Sequence, residues 1–111
     1  MYEIKAIVRL DRQEEVIAAL HGVPELPGLT VSIVEGVGRR TAYHFVESGS
    51  YGRTAMAKIE IVVSEERVAQ VLDAVTLGAH TGRMGDGKVF VSRVEQAIRL
   101  RTGETGPMAL Q

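Results

Sequence analysis

The segment Thr81-Gly82-Arg83-Met84-Gly85-Asp86-Gly87-Lys88 sets three glycines and two cations directly before an alternating apolar run. Glycine reaches backbone conformations that let successive amides close on an anion. Lys88 adds a positive charge suited to phosphate oxygens. Further on, Arg99 and Arg101 stand two residues apart, so on a strand they point the same way. Guanidinium groups grip phosphate in bidentate fashion. These residues together read as a candidate polyphosphate cradle. It is not a Walker A loop, because Lys88 is followed by Val89 and by a strand instead of a helix. A plainer reading stays open beside it: Asp86-Gly87 is an ordinary turn pair, and an Arg-x-Arg pair is often a solvated face.

The second candidate region runs from Val37 to Met56, about twenty residues between two strand-like runs, where two to five would join a hairpin. It holds Arg39, Arg40, Tyr43, His44, Tyr51 and Arg53, with Gly49 and Gly52. Tyr43, Phe45 and Val46 are placed to extend the flanking strands into an arm. A tolerated insertion is the bland alternative, but the density of arginine and aromatic residues favours a loop that contacts a ligand or partner. Catalytic residues are not legible. No nucleophile sits beside a base, and His21, His44 and His80 are dispersed. His44 and Glu47 make one i, i+3 pair, too little for a metal site. The expectation is a binding protein, neither an enzyme nor a metal centre.

The elements that must position these residues follow from periodicity. Tyr2, Ile4, Ala6, Val8 and Leu10 alternate as a strand. Asp11 and Glu14 have the spacing of a capping box, and Val16, Ile17 and Leu20 give the following helix its apolar stripe. Gly22 and Pro24 stop it. Leu29 to Val34 reads as a second strand ended by Gly36 and Gly38, and Ala57 to Val63 as a third. Ser64 is placed to cap a second helix with Val68, Val71, Leu72 and Val75 at helical spacing and Gly78 as terminator. Lys88 to Ser92 is a fourth strand, and Ile98 to Arg101 a short last one. The tail from Gly103 has no period. This is one strand–helix–strand unit used twice, a ferredoxin-like βαββαβ domain of the α+β class with an antiparallel sheet.

The sheet face away from the helices would carry Glu3, Lys5, Ile7, Arg9, Thr30, Ser32, Val34, Lys58, Glu60, Val62 and Phe90. It mixes paired charges with apolar residues, which fits packing against other subunits better than a purely solvated face. The chain has 111 residues, one domain's worth. Thirteen basic and fourteen acidic residues leave a net charge of −1, which argues against nucleic-acid partners or a polybasic membrane patch. The absence of cysteine excludes disulfides and thiolate chemistry. No apolar run nears a membrane span and the N-terminus lacks an apolar core segment, so a cytoplasmic location is expected.

The run from Thr81 to Val91, followed by Ile98-Arg99-Leu100-Arg101-Thr102-Gly103-Glu104, closely resembles the PII signal-transduction family (nitrogen regulatory protein P-II). Lys58 to Val63, Gly28 to Val31 and Gly36-Val37-Gly38-Arg39 fit the same family. The resemblance spans nearly all of residues 1–111, as a single domain. It implies a homotrimer with adenine nucleotide (ATP, ADP or AMP) in the clefts between subunits. In its terms residues 81–88 are the B-loop, about 37–56 the target-contacting T-loop and about 102–111 the C-terminal tail. Gly85, Gly87, Lys88, Arg99 and Arg101 would hold phosphates, with Gly82, Arg83, Met84 and Asp86 completing the B-loop. Thr30, Gly36, Val37 and Gly38 would line the adenosine side, and Thr81 would lie near the base. Arg39, Tyr43, His44, Tyr51 and Arg53 would meet a target transporter or enzyme.

Two positions depart from the family. Arg40 stands where the family has a glutamine that helps coordinate Mg2+ and 2-oxoglutarate, and a guanidinium does not ligate a metal. Met56 replaces a lysine that contacts the 2-oxoglutarate carboxylate. The T-loop is also shorter. These departures weigh against Mg2+ and 2-oxoglutarate, leave Arg40 available to a phosphate or another anion, and point to a divergent PII-like branch. Tyr51 sits where the family carries a modified tyrosine, but its flanks differ. The alternatives are an accessory protein of a transporter that senses bicarbonate or metal, or a small metal-tolerance trimer.

Overall fold

A computed structural model describes residues 1–37 and 53–111. Four antiparallel strands form the sheet: β1 (Tyr2–Arg9), β2 (Thr30–Gly36), β3 (Thr54–Val63) and β4 (Gly87–Arg93). Their spatial order is β2-β3-β1-β4, and the described residues form two α-helices, α1 (Gln13–His21) and α2 (Val68–Ala79). This is the ferredoxin-like arrangement expected from the βαββαβ order.

Alternation explains which face is dry. Ile4, Ala6 and Val8 of β1 and Ala57, Ile59, Ile61 and Val63 of β3 are buried together beneath Val16 and Leu20 of α1 and Val71 and Val75 of α2. Ile17, Val68 and Leu72 pack at the margin of this cluster. The opposite face carries the charged pairs, Lys5 with Glu3 at 3.9 Å and Lys58 with Glu60 at 3.5 Å. On that face Phe90 is exposed, while Ile7, Val34 and Val62 are half-buried.

The structure corrects the sequence reading at four places. Asp11 does not cap α1. It lies in a short 3-10 turn, Leu10–Arg12, and the helix begins after it without a side-chain cap. Ser64 likewise makes no side-chain cap. A second 3-10 turn, Glu65–Arg67, leads into α2, and the Ser64 carbonyl accepts the Arg67 amide at 3.0 Å. Gly78 does not end α2, which continues to Ala79. A Cβ on Gly78 would lie 2.6 Å from the Val16 Cα, so its role is close helix contact. Finally, Ile98 to Arg101 is not a strand. Only the single bridge Ile98↔Thr105 forms, and bonds from Arg99 N to Glu104 O and from Gly103 N to Arg99 O close a tight turn.

Strand ends also differ. β3 starts at Thr54, three residues before the expected Ala57, with Thr54 paired to Gly36. The tail folds as a 3-10 helix, Gly106–Leu110. Among the described residues no helix is long and apolar enough to cross a membrane.

Candidate functional site

The glycine turn is built around one carboxylate. Asp86 Oδ2 accepts the amides of Thr81 at 2.8 Å and Gly82 at 2.9 Å, and Oδ1 accepts the Thr81 hydroxyl and Arg9 Nε, the latter at 2.8 Å. Arg9 reaches on to the Met84 carbonyl at 2.5 Å. The Thr81 hydroxyl and the Arg9 guanidinium, aided by the Thr81 and Gly82 amides, hold the Asp86 carboxyl well below the usual carboxylate range. Asp86 is thus the internal bolt of the turn, with both oxygens engaged by Thr81, Gly82 and Arg9.

The bolt decides which amides remain. Those of Thr81 and Gly82 are taken by Asp86, and that of Arg83 by the Thr81 hydroxyl at 3.2 Å. Among the described residues, the amides of Met84 and Gly85 have no protein acceptor. Arg83 and Lys88 are exposed and, among the described residues, form no ion pair. Consecutive open amides beside two unpaired cations have the chemistry of an anion site. Glycine is required where the turn meets the sheet: Gly87 has φ +97°, and a Cβ there would lie 1.8 Å from the Ile7 carbonyl oxygen. His80 flanks the turn, with Nδ1 3.9 Å from Asp86.

Register fixes where the other expected residues fall. Gly87 pairs with Val8, Arg9 with Met56, and Met56 with Val34, so the glycine turn, Gly36 and Val37 share one end of the sheet. They stand at opposite edges, three strand spacings apart, roughly 14 Å. Thr30 pairs with Glu60, Glu60 with Lys5 and Lys5 with Phe90, so Thr30 begins β2 level with the middle of β1 and β4. It lines a cavity of about 440 Å3 with Gly28, Glu60, Val62 and the tail residues Leu110 and Gln111. An adjoining cavity of about 600 Å3 lies between Leu26, Val63, Arg67 and Pro107.

Arg99 and Arg101 also lie away from the turn, in the tight turn after β4 and not on a strand. Arg99 donates from Nη1 to Glu104 at 2.7 Å and from Nη2 to the Met108 and Gln111 carbonyls, the former at 3.0 Å. Arg101 is exposed in the turn that replaces the expected strand. One chain therefore does not gather the expected cradle: the amide-rich turn is at one end of the sheet, Thr30 lies partway along its β2 edge, and Arg99 and Arg101 follow the far end of β4.

Of the long loop, Arg53 is described. It is exposed and pairs with Glu35 at 3.0 Å. Gly38, Arg39, Arg40, Tyr43, His44 and Tyr51 lie outside the described residues, as does the arm expected around Phe45 and Val46. Met56 is buried on β3 and offers no cation at its position. Among the described residues no group of three or more His, Asp or Glu side chains is placed to hold a metal. Sequence reasoning missed two features. Arg9 carries no local signal for its role, since Asp86 is 77 positions away. The Thr30 cavity draws on Glu60 and Val62 from a neighbouring strand, which only register reveals.

The model of the family described as Nitrogen regulatory protein P-II matches residues 1–104. The chain is 41% identical over 109 residues to the Nitrogen regulatory protein P-II of Bradyrhizobium diazoefficiens, covering 96% of each. It is 41% identical over 113 residues to Nitrogen regulatory protein P-II 2 of Methanothermobacter thermautotrophicus, covering 99% of this chain and 97% of that protein. Among solved structures, Arabidopsis thaliana PII bound to citrate superposes with a TM-score of 0.80 at 40% identity, covering 97% of this chain and 90% of that one. The relatives are named as regulatory proteins, not as catalysts. On the sheet order, the bolted glycine turn and these matches, the chain belongs to the P-II family of signal-transduction regulators.

Proposed function

We propose that the protein is a regulator that binds an adenine nucleotide between subunits of a homotrimer and acts on a target transporter or enzyme through the loop at 37–56. The observation that carries this reading is the division of the expected cradle. Open amides at 84 and 85 with Lys88 and Arg83 lie at one end of the sheet, and the cavity that Thr30 shares with Glu3, Val62 and the tail lies toward the other. Two copies of the chain, set side by side, bring an end of one against an end of the other, so that phosphates meet the glycine turn and the base meets Thr30. The mixed sheet face, with Phe90 exposed and Val62 half-buried, supports a subunit contact.

In this role Gly85, Gly87 and Lys88 hold phosphates together with Arg99 and Arg101, with Gly82, Arg83 and Met84 shaping the turn and Thr81 close to the base. Gly36, Val37 and Gly38 line the adenosine side, and Arg40 faces a phosphate or a second anion. Arg39, Tyr43, His44, Tyr51 and Arg53 meet the target. The P-II structure from Arabidopsis holds citrate, which supports small anions as ligands of this fold. The regulator works by a difference: nucleotide shifts the loop only as far as its affinities for the two loop conformers differ.

A second reading has its own support. Met56 leaves its position without a cation, which favours a co-effector other than 2-oxoglutarate, such as bicarbonate, and a transporter as the partner. The deciding experiment is titration calorimetry with ATP, ADP, AMP and cyclic AMP, each with and without 2-oxoglutarate or bicarbonate. Binding of at least one nucleotide at submillimolar concentration is expected. No heat from any of them at millimolar concentration overturns the proposal.

A further inference from the structure

We propose that the tail from Glu104 to Gln111 is a gate on the Thr30 cavity, latched by Arg99, and that a phosphorylated ligand opens it by recruiting the Arg99 guanidinium. The inference rests on the nucleotide reading above and adds to it a competition for one side chain.

The tail is placed to gate. Ala109, Leu110 and Gln111 form one wall of the cavity that holds Thr30 and Glu60. Its 3-10 helix contributes no fully buried residue, and Ala109 and Leu110 are only half-buried, so apolar packing holds it less firmly than a core element. Backbone bonds fix its base, from Gly106 N to Ala97 O and at the Ile98↔Thr105 bridge, and side-chain contacts from Arg99 hold the rest. Nη1 binds the Glu104 carboxylate at 2.7 Å, and Nη2 binds the carbonyls of Met108, at 3.0 Å, and Gln111. Glu104 is in turn steadied by the Thr102 hydroxyl at 2.8 Å.

The latch and the ligand need the same atoms. A guanidinium grips an oxyanion bidentately along one of two edges, Nη1 with Nη2 or Nε with Nη2. Both edges pass through Nη2, and Nη2 already donates into the tail, to the Met108 carbonyl and beside Gln111. While the latch is closed, Arg99 offers a phosphate no complete fork, and the Glu104 carboxylate beside it opposes an arriving anion. Arg101 is exposed and, among the described residues, has no partner, so it makes the first contact. Arg99 then exchanges two carbonyls and a carboxylate for the phosphate. The wall made by Leu110 and Gln111 loses its fastening.

The test uses the full chain with ATP as the probe. Hydrogen–deuterium exchange is followed at Gly106 and Gln111, whose amides bond to the Ala97 and Met108 carbonyls at 3.0 and 3.4 Å. ATP is expected to speed exchange at both. In parallel, Glu104→Gln, which loosens the latch without altering a residue assigned to the nucleotide, is expected to bind ATP about threefold tighter, the worth of part of one charged hydrogen bond. If ATP binds but leaves tail exchange unchanged or slower, and Glu104→Gln binds with parental affinity or weaker, the gate is wrong and the nucleotide reading stands. If ATP binds neither protein, both fall together.

Discussion

Arg9 Nε lies 2.8 Å from Asp86 Oδ1, joining the last residue of β1 to the glycine turn across 77 positions of sequence. The bond does two things at once. It closes the turn against the sheet, and it occupies the carboxylate that would otherwise face an incoming anion. A carboxylate at the centre of the turn would repel an anion unless it were paired, and Arg9 pairs it.

The Asp86 pKa is depressed by the Thr81 hydroxyl and Arg9, so its contribution to stability has a definite sign. Protons bind the unfolded chain more readily than the folded one at this group. Its stabilisation is therefore complete above the ordinary aspartate value, about 3.9, and is lost as pH falls below it. Asp86→Asn is expected to melt at a lower temperature than the parent at pH 7. The two melting curves should converge as pH is lowered from 4 toward 2. A gap that stays constant over that range would show that Asp86 acts through shape and not through charge.

Gly78 offers a test in which helix propensity and packing oppose each other. Alanine is the better helix former by about 1 kcal/mol. A Cβ at this position, however, would stand 2.6 Å from the Val16 Cα and 2.8 Å from the Glu15 carbonyl oxygen, both backbone atoms of α1. Backbone yields little, so Gly78→Ala is expected to lose about 1–3 kcal/mol in urea unfolding, in the range of core overpacking. Gly28→Ala, where nothing lies within 4 Å of the added carbon, serves as the neutral control.

The strands were legible because one side of the sheet is dry and the other wet. Ile4, Ala6 and Val8 alternate with Lys5 and Ile7 for that reason, and a slip of one residue would bury a lysine. The helix starts were not legible, because Asp11 and Ser64 have the chemistry of caps while the chain enters each helix through a 3-10 turn satisfied by backbone groups. The false last strand at Ile98–Arg101 shows the same limit: four alternating residues do not outweigh a glycine that closes a turn at Gly103. In the site, the glycine turn was legible from local composition. Its bolt and the Thr30 cavity were not, since each joins residues that only the strand register brings together.

Arg101 separates binding from folding. It is exposed and sits in a surface turn. Arg101→Ala is therefore expected to leave unfolding free energy within about 0.5 kcal/mol of the parent. Under the proposed function it removes a charge-assisted contact to phosphate and costs about 2 kcal/mol of nucleotide binding, close to thirtyfold in Kd. Calorimetry with ATP and urea unfolding of the same preparation check both halves. Unchanged affinity would move the phosphate site away from the tail.

Met56 makes the co-effector question sharp. It is buried on β3 between the partners Val34 and Arg9, with Arg9 already bound to Asp86 and the Met84 carbonyl. A dicarboxylate arriving at this end of the sheet meets a thioether where a lysine would supply an ammonium, and burying a carboxylate without a partner is costly. The expected outcome is that 2-oxoglutarate at millimolar concentration changes the Kd for ATP by less than about twofold, well under the tenfold that one charged contact of about 1.4 kcal/mol would give. A Met56→Lys variant should gain a response if that contact is the missing one. A strong 2-oxoglutarate effect in the parent would mean that a cation from the loop at 37–56 supplies the charge, and Arg40→Gln would then abolish it.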